Sequence, residues 1–183
     1  LRHAMAAFSV YHYKVLLFEK HGDGRFRSPE EYLRRSIATI TTHDLPTLRG
    51  YWEGRDLELR DRLQLYPNEE IRRHVLEERV RDRAQLLAAL EAAGLAPGAP
   101  SSPDGPYTDA LAHATQLYLG RSAAALAVLQ AEDLVGMTDP VNVPGTRDEH
   151  ANWQRKMTAS IDEIFTRDTA RALFADMCRA RPG

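Results

Sequence analysis

The sequence has 183 residues, 24 basic and 26 acidic side chains for a formal net charge of -2, and a composition that is 43% hydrophobic and 27% charged. That is enough chain for one domain with its own core, in the proportions of a soluble globular protein. The even charge balance, with Arg interleaved with Glu around Arg72-Arg73 and Arg79-Val80-Arg81-Asp82-Arg83, argues against the basic patch that nucleic acid or an anionic membrane needs.

No apolar run approaches membrane-spanning length, and no secretory signal is recognisable. The single cysteine, Cys178, excludes an internal disulfide and fits a reducing, cytoplasmic setting. The first residue is Leu1 rather than Met, so the chain is expected to begin away from a natural translation start.

His12 to Phe18 is short, apolar and aromatic, and predicts a buried strand. The Gly22-Asp23-Gly24 turn follows, then a helix start at Pro29-Glu30-Glu31. Ser36 to Thr42 predicts a second strand that runs straight into His43-Asp44. Pro67 to Ala93 carries the clearest helical period, with Ile71, Val75, Leu76, Val80, Leu87 and Leu90 as its apolar face and Gly94 as its stop. Glu69/Arg73 and Glu77/Arg81 are spaced as supporting ion pairs.

Residues 94–106 are rich in Pro, Gly and Ser and predict a mobile loop, too short to divide the chain into two domains. Tyr107 to Leu119 predicts another helix. Ala124 to Gln130 fits either a helix or a strand. Asp139 to Thr146 reads as an extended loop, and closing helices are expected near Trp153 to Phe165 and Asp168 to Arg179. In the last of these, Ala170, Leu173, Phe174 and Met177 share a face. Apolar strands alternating with helices predict an α/β fold with a parallel sheet, predominantly helical by content. Two or three strands make only part of such an architecture.

The chemistry concentrates at Thr42-His43-Asp44. Polar residues just past the carboxyl end of a parallel strand face the active site of a β/α barrel. There a carboxylate accepts hydrogen bonds from sugar hydroxyls, and an imidazole donates or accepts one. An isolated His-Asp pair, however, is better explained as a turn cap beside a surface residue. Asn142 and Gly145 lie in a loop within reach of such a site, although Pro-Gly loops more often only shape a turn. Tyr51, Trp52 and Trp153 are candidates for stacking on a sugar ring, but packing is the ordinary role for such aromatics. The seven histidines (His3, His12, His21, His43, His74, His113 and His150) show no metal-ligand spacing. No phosphate-cradling loop or nucleophile elbow appears, so no metal or cofactor is expected.

The flanks of the His-Asp pair change its weight. Thr41-Thr42-His43-Asp44-Leu45-Pro46-Thr47-Leu48-Arg49-Gly50-Tyr51-Trp52-Glu53-Gly54 resembles the corresponding stretch of the amylomaltases, the 4-α-glucanotransferases of glycoside hydrolase family 77. Two further blocks resemble that family in the same order. One is Tyr11 to Glu19. The other runs from Glu132-Asp133 through Asp139-Pro140-Val141-Asn142-Val143-Pro144-Gly145-Thr146 to Asn152-Trp153-Gln154-Arg155-Lys156. The resemblance implies the C-terminal portion of a (β/α)8 TIM barrel, with residues 1–183 forming part of one catalytic domain.

It also implies a retaining transfer of α-1,4-glucan segments between maltooligosaccharides, in which one carboxylate attacks and another protonates the leaving oxygen. The family's third carboxylate, which grips the hydroxyls of the reacting sugar, corresponds to Asp44. His43 and Asn142 are then expected substrate contacts. The nucleophile and the acid lie on earlier strands in the family, so this chain alone is expected to be inactive. Glu132-Asp133-Leu134 looks like the family's general-acid segment, but Val135 replaces its Gly and the order is wrong, so it is expected at a strand end without a catalytic role. Strands flanked on both sides in a closed barrel leave an isolated chain open to self-association. A non-catalytic helical module that binds α-glucan or a protein partner is the competing reading.

Overall fold

The computed structural model describes Phe8 and residues 10–181; Leu1 and His3 lie outside them. Three short parallel strands, β1 (His12–Val15), β2 (Ser36–Thr39) and β3 (Leu126–Val128), form a sheet in chain order with β2 in the centre. Ala124 to Gln130 thus contains a strand, the choice that pattern alone left open. Around the sheet lie α1 (Leu48–Glu53), α2 (Arg55–Arg62), α3 (Glu69–Ala92), α4 (Asp109–Gly120), α5 (Ala131–Leu134), α6 (Ile161–Thr166) and α7 (Asp168–Ala180).

Both predicted strands are shorter than expected. Leu16–Phe18 tighten into a 3-10 turn directly after β1, and the chain leaves β2 at Thr39. Pro29–Glu31 is likewise only one 3-10 turn, closed by a Ser28/Glu31 capping box. The pairing register decides which face each side chain takes. Lys14, Ala38 and Ala127 are partners across the sheet. Ala38 is fully buried, and Ala38 and Ala127 pack in one core with Leu86 and Leu90 of α3 and Leu111, Leu117 and Tyr118 of α4. Tyr13, Ile37 and Leu126 share the opposite face, followed by Val15, Thr39 and Val128. On that face Tyr13, Leu126 and Val128 remain exposed. Helices therefore cover one side of the sheet, and the other side presents Tyr13, Leu126 and Val128 to solvent while its Val15 and Thr39 are buried, Val15 against Tyr51 of α1.

The long helix α3 starts at Asn68, whose side chain accepts from the Ile71 amide at 2.8 Å. Its C-terminal half buries Leu86 and Leu90 as the period predicts. Its N-terminal half does not. Ile71, Leu76 and Val80 are exposed, and the buried residue there is Arg79. This end packs through a bidentate ion pair from Arg79 to Asp56 of α2, at 2.7 and 2.8 Å. The same guanidinium donates to the Tyr51 carbonyl and lies 3.9 Å over the Tyr51 ring. Glu69 bonds Arg72, three residues on, rather than Arg73. Arg72 is already placed by Asp61 of α2, which it holds through two 2.7 Å bonds.

Two other segments depart from the sequence reading. Residues 48–62 fold into α1 and α2, which the apolar period left unmarked because each is little more than a turn or two. Gly54, at φ 77°, ends the first and starts the second. The helix expected from Trp153 begins only at Ile161, where Ser160 and Glu163 form a capping box. Trp153 itself sits at φ 61° in a turn, a backbone conformation that interrupts helix. The 94–106 loop contributes Leu95 to the core, and its Gly105 carbonyl accepts from the Trp52 indole at 2.9 Å.

Candidate active site

The loops that leave β2 and β3 are tied together at four levels. Thr41 donates to the Gln130 side chain at the strand ends. The Leu48 amide, opening α1, donates to Asp133 Oδ1 of α5 at 2.7 Å. Thr47 caps α1 by accepting from the Gly50 amide and donates to the Met137 carbonyl at 2.6 Å. Gly50 lies so close to this second loop that a Cβ there would stand 2.2 Å from the Thr138 carbonyl oxygen. Only glycine permits that approach.

The fourth tie joins two of the residues singled out from the sequence. Asn142 Nδ2 donates to Asp44 Oδ1 at 2.6 Å, across 98 positions of chain. His43 and Asp44 form the turn after β2, with Leu45 closing back on the Thr42 carbonyl. His43 Nε2 stands 3.4 Å from Asp44 Oδ2, and both side chains are about half exposed. The structure thus brings Asp44, His43 and Asn142 into one cluster past the strand ends.

The two neighbours open in different directions. Asp44 and Asn142 border a groove of about 600 Å³ that continues past Tyr51, Arg60 and Asp82. His43 borders a recess of about 50 Å³ with Gln130, Glu132 and Arg155. Tyr51 and Trp52 do not reach out as stacking platforms. Trp52 is 1% exposed, and the Tyr51 hydroxyl donates to Asp82 at 2.9 Å beneath the groove. Lys20 holds the other side of that contact by donating to the same Asp82 oxygen at 2.5 Å.

Trp153 corrects the packing expectation. It is 62% exposed, and its ring lies 5.1 Å from the His43 ring at 45°. Its amide donates to the Val141 carbonyl at 2.9 Å, while Asn152 accepts from the Val143 amide and donates to Thr146. Asn152 and Trp153 therefore shape the loop that carries Asn142. Their signal in the sequence was the Asn152-Trp153 block; no periodicity marks them. Among the described residues no group of three or more His, Cys, Asp or Glu is placed to hold a metal ion, and no helix is long and apolar enough to cross a membrane.

The burial of Asp133 was not foreseen from the sequence. This residue sits in α5 after β3, as expected of a strand-end residue, but it is 3% exposed and burial pushes its carboxyl up to about 7. The Leu48 amide opposes that rise and Glu132 adds to it. It organises the start of α1, one turn from the Asp44 loop. A cavity of about 660 Å³ lies beside Asp133 between α4 and α7 rather than at Asp44. The cluster at the strand ends remains the stronger site candidate because two loops converge there on one exposed carboxylate.

Parallel strands with polar residues gathered beyond their carboxyl ends define the α/β arrangement that β/α-barrel enzymes use for their sites. The chain belongs to the 4-α-glucanotransferases of glycoside hydrolase family 77, whose family model matches residues 1–162. It is 30% identical over 186 residues to a 4-alpha-glucanotransferase of Haemophilus influenzae, and 34% identical over 177 residues to one of Mycobacterium bovis. These alignments take in 99% and 91% of the chain but 26% and 23% of the relatives, so the chain spans about a quarter of their length. Its fold matches the crystal structure of amylomaltase from Corynebacterium glutamicum with a TM-score of 0.84 at 24% identity, covering 96% of this chain and 26% of that one. Amylomaltase from Streptococcus agalactiae, solved in complex with acarbose, matches with a TM-score of 0.59 at 17% identity, covering 98% of this chain and 29% of that one.

Proposed function

We propose that this chain supplies the hydroxyl-gripping part of a glucanotransferase site, as the C-terminal portion of a (β/α)8 barrel in a longer enzyme. The observation that carries this reading is the 2.6 Å bond from Asn142 to Asp44. It fixes one carboxylate oxygen and leaves the other, beside His43, free to accept from a sugar. Asp44 is the transition-state stabiliser: its charge favours the electron-poor, distorted sugar, and its oxygen holds ring hydroxyls. His43 and Asn142 are substrate contacts. The attacking carboxylate and the proton donor are supplied by earlier barrel strands, so transfer of α-1,4-glucan segments between maltooligosaccharides needs the whole enzyme. The acarbose held by the Streptococcus agalactiae relative supports an α-glucan as ligand. The reaction uses no cofactor; a cytoplasmic enzyme accords with the single cysteine, Cys178, and one without nucleic-acid or membrane partners accords with the charge balance.

The test is Asp44→Asn in the full-length enzyme, assayed by disproportionation of maltotriose. The swap keeps size and removes charge, so turnover should fall on the order of 10²–10³-fold with unchanged melting. A near-normal rate with unchanged melting would reduce Asp44 to a turn residue.

A further inference from the structure

We propose that Trp153 is a further substrate-binding residue of the Asp44 site, stacking its indole face on a glucosyl unit of the bound glucan. This role rests on the sugar site proposed at Asp44. It adds a contact that recognises the sugar ring rather than its hydroxyls.

Two independent features set this tryptophan apart from a packing residue. The first is exposure: Trp153 is 62% exposed, whereas Trp52 is 1% exposed within the core. The second is its backbone. Among the described residues, Gln64 and Trp153 are the two outside glycine with positive φ, at 53° and 61°. A bulky side chain disfavours that region, and such a conformation persists only where its surroundings impose it.

Those surroundings belong to the site. The Trp153 amide donates to the Val141 carbonyl at 2.9 Å, and the Asn152 side chain accepts from the Val143 amide at 2.9 Å. Residues 152 and 153 thus grip the chain on both sides of Asn142, which itself donates to Asp44. The bonds that place Asn142 therefore also hold the strained turn at Trp153. That turn sends the indole outward, and its ring centroid lies 5.1 Å from that of His43, at 45°.

The chemistry of the platform selects its ligand. An indole face is apolar and electron-rich, and it attracts the weakly positive C–H groups on the flat side of a pyranose. The hydroxyls of such a ring point outward from its edge. His43 Nε2 and Asp44 Oδ2, 3.4 Å apart, supply polar partners for edge hydroxyls beside the indole. A ring that is apolar on its face and polar at its rim fits this arrangement, and a glucosyl unit has that pattern.

The test is calorimetric titration of acarbose into the full-length protein that carries this chain and into its Trp153→Ala and Trp153→Phe variants. Trp153→Ala should bind about tenfold more weakly, and Trp153→Phe, which keeps a smaller ring face, about threefold. The residue is exposed, so neither change empties the core, and melting temperatures report folding. In the His43→Ala protein, Trp153→Ala should still weaken binding, because the indole meets the sugar directly. A native protein that does not bind acarbose would remove the Asp44 sugar site and the platform with it. Native binding matched by a folded Trp153→Ala variant would remove the platform alone. A loss that vanishes in the His43→Ala background would make Trp153 only a prop for His43 and overturn its contact with the sugar.

Discussion

Replacing Asp133 with Asn should make the protein more stable at neutral pH and remove part of its pH dependence. The carboxyl is buried, so its ordinary value of 3.8 is pushed up to about 7 in the folded chain. Between those values the folded state holds a proton that the unfolded state has released, so stability falls as pH rises. The contribution is complete below about pH 4, declines toward about pH 7 and is flat above it. At 1.36 kcal/mol per tenfold change in proton affinity, the span amounts to about 4 kcal/mol. Asn keeps an oxygen to accept the Leu48 amide, now at 2.7 Å from Asp133 Oδ1, and carries no charge at any pH. Urea unfolding of both proteins at a series of pH values gives the difference in stability, and groups common to both cancel. The difference should be near zero in acid and should grow to as much as about 4 kcal/mol in favour of Asn by about pH 8. A difference that stays flat with pH, or a variant less stable at about pH 8, would refute the reasoning.

Arg79→Ala should be far more damaging than an exposed Arg change. It strands Asp56, whose side chain is 13% exposed, so a loss of about 3–5 kcal/mol is expected from chemical denaturation; a loss under about 1 kcal/mol would place the pair among surface bridges. Gly50→Ala should push the Met137 to Asn142 segment away from α1, because the new methyl meets backbone at 2.2 Å. Destabilisation of about 1–3 kcal/mol is expected, and an unchanged melting temperature would contradict that contact. The isolated chain should associate through the bare sheet face that carries Tyr13, Leu126 and Val128. Light scattering checks this, and a stable monomer that binds little hydrophobic dye would count against it.

Much of the site was legible before any coordinates. His43-Asp44 stands at a strand end in the sequence because an apolar run stops there, but its weight as a site candidate came from the flanking stretch that resembles the family, since the pair by itself reads as a turn cap. The α4 and α7 helices and the C-terminal half of α3 were readable from periodicity: their apolar residues repeat at the helical period and are buried. Trp153 stood out only as part of the Asn152-Trp153 block, and its position beside His43 was not legible. Its φ of 61° and its approach to His43 come from the Asn152 and Val141 contacts that fold its loop, and no local pattern encodes those.

What the sequence determined by itself is therefore local: strand cores, helix faces, the Gly94 stop, and the residue types available for chemistry. Only the tertiary structure decided which of these meet. It joined Asp44 to Asn142, buried Arg79 against Asp56 where Ile71 and Val80 had marked the apolar face, and turned Asp133 into the anchor of α1. The physical reason is that hydrophobic period reports burial averaged over a helix or strand. Hydrogen bonds between loops depend instead on how close two backbones come, and here that distance hangs on Gly50 and on the stacking of one strand-end loop over the next.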